Sequence, residues 1–143
     1  MKDFIETRII NAVRKLLTGK VNELLGEMEN PIPLIEFSEY RGGSVVVPVI
    51  NVASCELKEK ERIIRQEAYN LTITFIFPDT PESELYCYAY SGAVGRAVYD
   101  DPALGGVVGR AVVTNKKYIK PKKVNCGEAW ELVVTLRITV EGR

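Results

Sequence analysis

The chain has few residues of the types that carry out acid–base, nucleophilic or metal chemistry. It contains no histidine, which excludes a Ser-His-Asp triad, a Cys-His dyad and a histidine-ligated zinc site. The three cysteines, Cys55, Cys87 and Cys126, lie far apart and form no C-x-x-C pair. That spacing favours neither a structural zinc site nor a disulfide framework, so we expect each cysteine to be a small buried hydrophobic residue.

Two adjacent carboxylates, Asp100 and Asp101, come closest to a metal-binding motif. Hard cations need several convergent oxygen ligands, whereas this pair directly precedes Pro102, as is common where a helix ends. The glycine-rich pieces do not open a helix directly after a strand with the spacing of a phosphate-binding loop. The sequence therefore predicts no catalytic residue, no cofactor and no metal site, and it indicates a non-enzymatic protein that acts through contact.

The clearest charge asymmetry lies in residues 102–127, which contain six basic residues and no acidic residue. A basic loop that includes an aromatic such as Tyr118 could contact nucleic-acid phosphates and bases. The whole chain, however, has 19 basic and 19 acidic residues, whereas a dedicated DNA-binding protein usually carries a basic excess. We therefore expect the lysines of this segment to meet an acidic protein surface. The candidate contact residues are Lys116, Lys117, Lys120, Lys122 and Lys123.

A second charged stretch, residues 56–67, alternates in sign along the chain. Such alternation is typical of a solvated hairpin tip or strand end. Its candidate contact residues are Glu59, Glu61 and Arg62.

Two amphipathic segments are predicted to be helices. Residues 3–18 carry apolar side chains at helical spacing, and Gly19 is expected to end the helix. Residues 81–99 form the second predicted helix. Its expected packing face contains Leu85, Tyr88, Ala89 and Gly92.

Four segments are predicted to be strands: 44–52, 68–77, 107–119 and 128–140. Pro48 interrupts the first, which indicates an edge strand or a bulge. Strict alternation in the second and fourth predicts one buried layer under the helices. That layer contains Tyr69, Leu71, Ile73, Phe75, Trp130, Leu132, Val134 and Leu136. The element order predicts an α+β fold, with two main helices packed on an antiparallel or mixed β-sheet, as a single domain over residues 1–143.

The segment from Ala97 to Val108 joins the second helix to a strand through an Asp-Pro-Ala-Leu-Gly-Gly turn. With the order of elements and the long closing strand, it resembles the small tail terminator and tail-completion proteins of long-tailed bacteriophages. The resemblance implies a homohexameric ring that caps the tail tube and joins it to the head. Its partners would be other copies of itself, the tail tube protein and the head-completion or connector protein. It would be located in the virion tail, and in the host cytoplasm during assembly. DNA would meet it only in passing through the ring lumen.

A ring built head to tail needs two different complementary patches on each subunit. The acid-rich residues 1–101 and the base-only segment 102–127 are compatible with that arrangement. Three alternatives remain at this stage: another neck, minor tail or head-completion protein, a small nucleic-acid-binding module that uses residues 102–127, and an enzyme of unrecognised type. No apolar run is long enough for a membrane span, and the N-terminus has no signal-peptide core, so we expect no membrane partner.

Overall fold

The structure is a computed structural model that describes residues 4–29, 31–37, 45–60, 64–78, 80–121 and 129–142. Its helices are α1 (Ile5–Leu16), α2 (Asn22–Gly26) and α3 (Ser83–Asp100), with a π-helical turn (Leu17–Val21) joining α1 to α2. Its strands are β1 (Leu34–Ile35), β2 (Val45–Val46), β3 (Val49–Lys60), β4 (Ile64–Pro78), β5 (Arg110–Ile119) and β6 (Ala129–Gly142).

A four-stranded antiparallel sheet in the order β3-β4-β6-β5 is the centre of the fold. The short strands β1 and β2 pair in parallel beside it. Helices cover one face of the sheet, so the predicted α+β class is confirmed. Pro48 lies between β2 and β3, and β3 is an outer strand, as the interrupting proline predicted. The charged stretch forms the ends of two paired strands, because β3 continues to Lys60 and β4 begins at Ile64, which agrees with the strand-end interpretation.

The helix-covered face of the sheet carries the core. All eight residues of the predicted buried layer are buried, and Phe77 and Ile138 extend that layer along the same strands. Facing residues such as Phe75 and Leu132, or Leu71 and Leu136, lie directly opposite each other on the two central strands. Strand alternation places the intervening threonines and charged residues on the other face, which no helix of the described residues covers.

The first helical region does not end at Gly19, contrary to the sequence prediction. The backbone passes through the π-helical turn and continues into α2. In a regular α-helix of 3.6 residues per turn, side chains spaced four apart drift by about 40° per step. The wider π-turn offsets that drift, so Val13, Leu17, Val21 and Leu25 all stay buried.

Asn22 connects this helical region to the short parallel pair. Its side-chain oxygen accepts a hydrogen bond from the Ile35 backbone N–H at 2.8 Å, and its amide nitrogen donates to the Ile35 carbonyl at 2.9 Å. The amide therefore satisfies both backbone polar groups of Ile35, as a second neighbouring strand would.

The buried face of α3 differs from the predicted one. Leu85 and Tyr88 are 43% and 50% exposed, whereas the core side of the helix is formed by Cys87, Tyr90, Ala93, Val94, Ala97 and Val98. The helix carries apolar residues around most of its circumference, so spacing alone allowed two faces. The face that is buried brings Tyr90 into edge-to-face contact with the aromatic rings of β4.

Tyr90 is the centre of an aromatic cluster. Its ring meets Phe75 and Phe77 edge to face, with centroid distances of 5.0 Å in both cases. Its hydroxyl donates a hydrogen bond to the Pro33 carbonyl. Burial raises the pKa of Tyr90 above its usual value, and burial likewise raises the pKa of Tyr69, with a smaller contribution from the Glu67 carboxylate.

We predict that stability falls steadily as the pH rises above about 9. Burial raises the pKa of Cys87 from 9.0 to about 11, and Tyr69 and Tyr90 also titrate above their usual 10.0. The unfolded chain therefore loses these protons at lower pH than the native chain, and ionisation favours unfolding. Urea denaturation at a series of pH values from 7 to 11 measures the loss. The Tyr90→Phe variant should show a shallower fall, and a stability that is flat up to pH 10.5 would contradict the prediction.

Candidate protein-contact surface on β5

The predicted contact residues that the structure describes fall at opposite edges of the sheet. Lys116 and Lys117 lie in β5 and Lys120 follows it. The backbone of Glu59 lies in β3 opposite Arg65 of β4. Four further predicted residues lie outside the described residues: Lys122, Lys123, Glu61 and Arg62. The structure therefore does not bring the two predicted groups together within one chain.

The lysines of β5 do not form one flat patch. Lys116 lies opposite Val134, on the helix-covered face, whereas Lys117 lies opposite Val133, on the open face. Both lysines are exposed. Positive charge is thus presented on both sides of the same sheet edge, which suits a partner that wraps the edge better than one that lies on either face.

The Lys116 side chain lies against the surface of α3 at Gly95. A Cβ atom at Gly95 would lie 3.3 Å from the Lys116 Nζ atom and 3.7 Å from its Cε atom. The missing side chain at Gly95 therefore leaves space for the lysine stem on the helix surface, while its ammonium group remains at the surface. Beyond the end of the strand, the Nζ atom of Lys120 lies 5.9 Å from the centroid of the Trp130 ring, a cation–π contact.

Tyr118 is held against α3 rather than left free. Its hydroxyl lies 2.8 Å from the Ser91 Oγ atom, and its ring meets the Tyr88 ring edge to face at 5.6 Å. The Tyr88 hydroxyl in turn donates a hydrogen bond to Glu84 at 2.8 Å, and that bond raises the pKa of Tyr88. These contacts favour a structural role for Tyr118 over the base stacking expected of a nucleic-acid contact.

An apolar groove of about 450 Å³ lies between the C-terminal half of α3 and β5. One wall is formed by Val98 and Tyr99 of α3, and the other by Ala111 and Val113 of β5. Tyr99 is 83% exposed. The groove opens on the helix-covered side of β5, next to the outer edge of the sheet.

The segment that carries the phage resemblance forms a tight loop from α3 to β5. Leu104, Gly105 and Gly106 have φ angles of 50°, 71° and 88°, a left-handed conformation that glycine adopts most readily. The Asp101 carboxylate accepts a hydrogen bond from the Gly105 N–H, with distances of 3.0 and 3.1 Å to its two oxygens. The Pro102 carbonyl accepts another from the Ala111 N–H at 2.6 Å.

The paired carboxylates have structural partners. Asp100 forms an ion pair with Arg96 at 3.0 Å, one turn earlier in α3, and Asp101 holds the loop as described. Across the residues with assigned positions, no three cysteine, aspartate or glutamate side chains are grouped closely enough to hold a metal ion.

Two features of β3 were not foreseen. Cys55 is exposed, contrary to the expectation that every cysteine is buried, and Leu57 is 65% exposed. Both lie on the same face as Tyr69, but near an end of β3 that the helices leave uncovered. Cys87 is buried as expected, and Cys126 lies outside the described residues.

On the open face of the sheet, the strand register brings charged side chains from different strands together. The guanidinium of Arg137 on β6 reaches across β4 to Glu56 on β3, with an N–O distance of 2.7 Å. Ala68 lies opposite Glu56 on the intervening strand and is buried although it is on the open face. Its small side chain allows the ion pair to pass above it. No signal in the sequence pairs residues that are so far apart in the chain.

No known family model matches this chain, and a search of curated proteins found no relative. No helix within the described ranges is long and apolar enough to span a membrane.

Proposed function

We propose that this chain is a tail terminator of a long-tailed bacteriophage or prophage. Identical subunits would form a ring, hexameric in the family it resembles, that closes the finished tail tube and joins it to the head. The protein would act as a structural part of the virion without catalysis. DNA would pass through the ring lumen without specific recognition.

The observation that carries this proposal is the pair of unlike sheet edges. Within the described residues, β3 and β5 each have one neighbouring strand, and they lie at opposite ends of the sheet order. A closed ring of identical subunits requires such a pair of different surfaces, because each subunit uses one to bind the subunit ahead and the other to bind the subunit behind.

The distribution of charge supports the same arrangement. β5 and its flanking segment carry basic residues and no acidic residue, whereas residues 1–101 have an acidic excess. Contacts between unlike charges would set the orientation and register of neighbouring subunits more than their affinity. The loop from Asp101 to Gly109 lies beside β5, which places the segment that resembles the phage family at this edge.

Deleting the gene in the phage genome that encodes the chain tests the function directly. Without a terminator, tube polymerisation has no stop, so electron microscopy should show tails of irregular excess length and filled heads that lack tails. Restoring the intact gene should return tails to uniform length. Headless tails of normal length would instead indicate a neighbouring neck or head-completion role, and normal particles would overturn the proposal.

A further inference from the structure

The directions of the outer strands allow β3 of one copy of the chain to pair with β5 of another copy. β4 is antiparallel to β3, β6 is antiparallel to β4, and β5 is antiparallel to β6. β3 and β5 therefore run in opposite directions. When copies are placed side by side by rotation about a ring axis, β3 of one copy lies antiparallel to β5 of the next, and the helix-covered faces stay on the same side.

The backbone polar groups at the two edges also match. The Ala111 N–H points away from β6 and bonds to Pro102, while its side chain is on the helix-covered face. Residues of β5 on that face therefore direct their N–H and C=O groups away from β6, and because Pro102 already binds Ala111, the stretch of this edge open to another strand begins at Val113. Along a strand, the side-chain face and the direction of the backbone N–H and C=O groups alternate together. Helix-face residues of β3, at the other edge of the sheet, therefore direct their N–H and C=O groups away from β4.

Both outer strands carry a bulge, and the two bulges restrict the register. The register against the central strands shifts between Val52 and Ser54 in β3, and between Val113 and Asn115 in β5. If Cys55 is paired with Val113, helix-face residues of β3 lie opposite helix-face residues of β5 both before and after the bulges. In that register, strand pairing ends at Val113, because Pro102 already binds the edge at Ala111. Leu57 of β3 then lies just beyond the paired stretch, next to the apolar groove that Pro102 and Ala111 line.

We propose that β3 of one copy adds to the edge of β5 of the next copy over residues 113–119, with Cys55 opposite Val113 and Leu57, beyond the paired stretch, inserted into the groove between α3 and β5. This proposal rests on the proposed function, because it names the interface through which the ring would close. In this arrangement, the exposed Leu57 at one edge of a subunit fills the apolar groove on the same face at the other edge of the next subunit.

The charges favour this occupant over a β5–β5 pairing of two copies. β5 contains Arg110, Lys116 and Lys117 and no acid, so two such strands side by side would place like charges against each other, which is destabilising. β3 contains glutamates and lysines in equal number and so opposes β5 without a net repulsion.

A disulfide between copies tests the register. In a chain with Cys126→Ser, the added Val113→Cys change places a thiol opposite the exposed native Cys55 of the next copy. Directly opposed residues in antiparallel strands have Cα atoms about 4.5–5.5 Å apart, within disulfide range. Oxidation with copper phenanthroline should give a ladder of covalent oligomers on a non-reducing gel.

Two controls establish specificity. Val112→Cys, one residue away on the open face, should give no ladder, and replacing Cys55 with serine in the Val113→Cys chain should abolish the ladder.

Leu57→Asp tests the groove independently: it should prevent oligomer formation in mass measurements by light scattering. Because Leu57 is exposed, the unfolding midpoint of this variant should stay unchanged.

The outcomes separate this interface from the ring itself. Wild-type oligomers combined with no covalent ladder from the Val113→Cys chain, or oligomers that survive Leu57→Asp, would overturn the β3–β5 contact and leave the ring proposal standing. A chain that stays monomeric up to millimolar concentration, with no ladder from Val113→Cys, would overturn both.

Discussion

Replacing Leu132 with alanine is expected to lower the free energy of unfolding by about 2–5 kcal/mol. Leu132 is fully buried, and it lies between Phe75 on β4 and Tyr118 on β5. The truncation removes apolar contacts and leaves a cavity that strands bonded on both sides close poorly. Urea denaturation monitored through Trp130 fluorescence measures the change.

Val133→Ala is the matched control for this prediction. Val133 is the next residue of β6, is only half-buried, and faces the open side of the sheet. Its truncation should cost about 1 kcal/mol or less. A Leu132→Ala loss below about 0.5 kcal/mol, the range of an ordinary surface substitution, would show that the assigned core face is wrong.

Changing Lys116, Lys117 and Lys120 together to glutamate should abolish ring formation and tail joining while the fold is kept. Each exposed charge contributes only about 0–1 kcal/mol, so single changes should have little effect. Reversing all three replaces a basic edge by an acidic one, which would be repelled by the acidic excess of residues 1–101 in the neighbouring subunit, although β3 itself is neutral by composition. Native mass spectrometry measures assembly, and circular dichroism confirms the fold.

The matched control is the triple Lys→Arg variant, which keeps the charge at the same positions and should assemble normally. DNA binding provides the contrary result. Suppose that the wild type binds duplex DNA below micromolar affinity with a steep salt dependence, and that the glutamate variant loses this binding but still assembles. The basic edge would then be a nucleic-acid site.

The sheet was predictable wherever one face is buried and the other is not. On β6, Leu132, Val134 and Leu136 alternate with more polar residues, and a strand offers only two faces. Helix α3 was not predictable in the same way, because apolar residues such as Leu85 and Tyr90 occur on different sides of it. Which side is buried depends on the aromatic rings of β4, which are distant in the sequence.

The candidate surface was predictable as a set of charges but not as a geometry. The lysines of residues 102–127 stand out by composition alone. Which of the adjacent Lys116 and Lys117 lies on which face depends on the bulge in β5, and the contact of Lys116 with Gly95 depends on how α3 lies over the sheet. The exposure of Cys55 depends on where helix coverage ends. None of these has a signature within a local stretch of sequence.

The π-helical turn gives the first helical region one residue more than a regular α-helix needs to cover the same core. A π-turn is equivalent to one extra residue inserted into an α-helix. Removing Gly19, which has open space around it, would leave Val13, Leu17, Val21 and Leu25 at successive spacings of four, three and four. Those are the spacings that keep one face of a continuous α-helix apolar, so all four side chains would stay in the core. One residue of the turn can thus be lost without moving these side chains out of the core. Natural variation there should include chains that are one residue shorter and have a straight first helix.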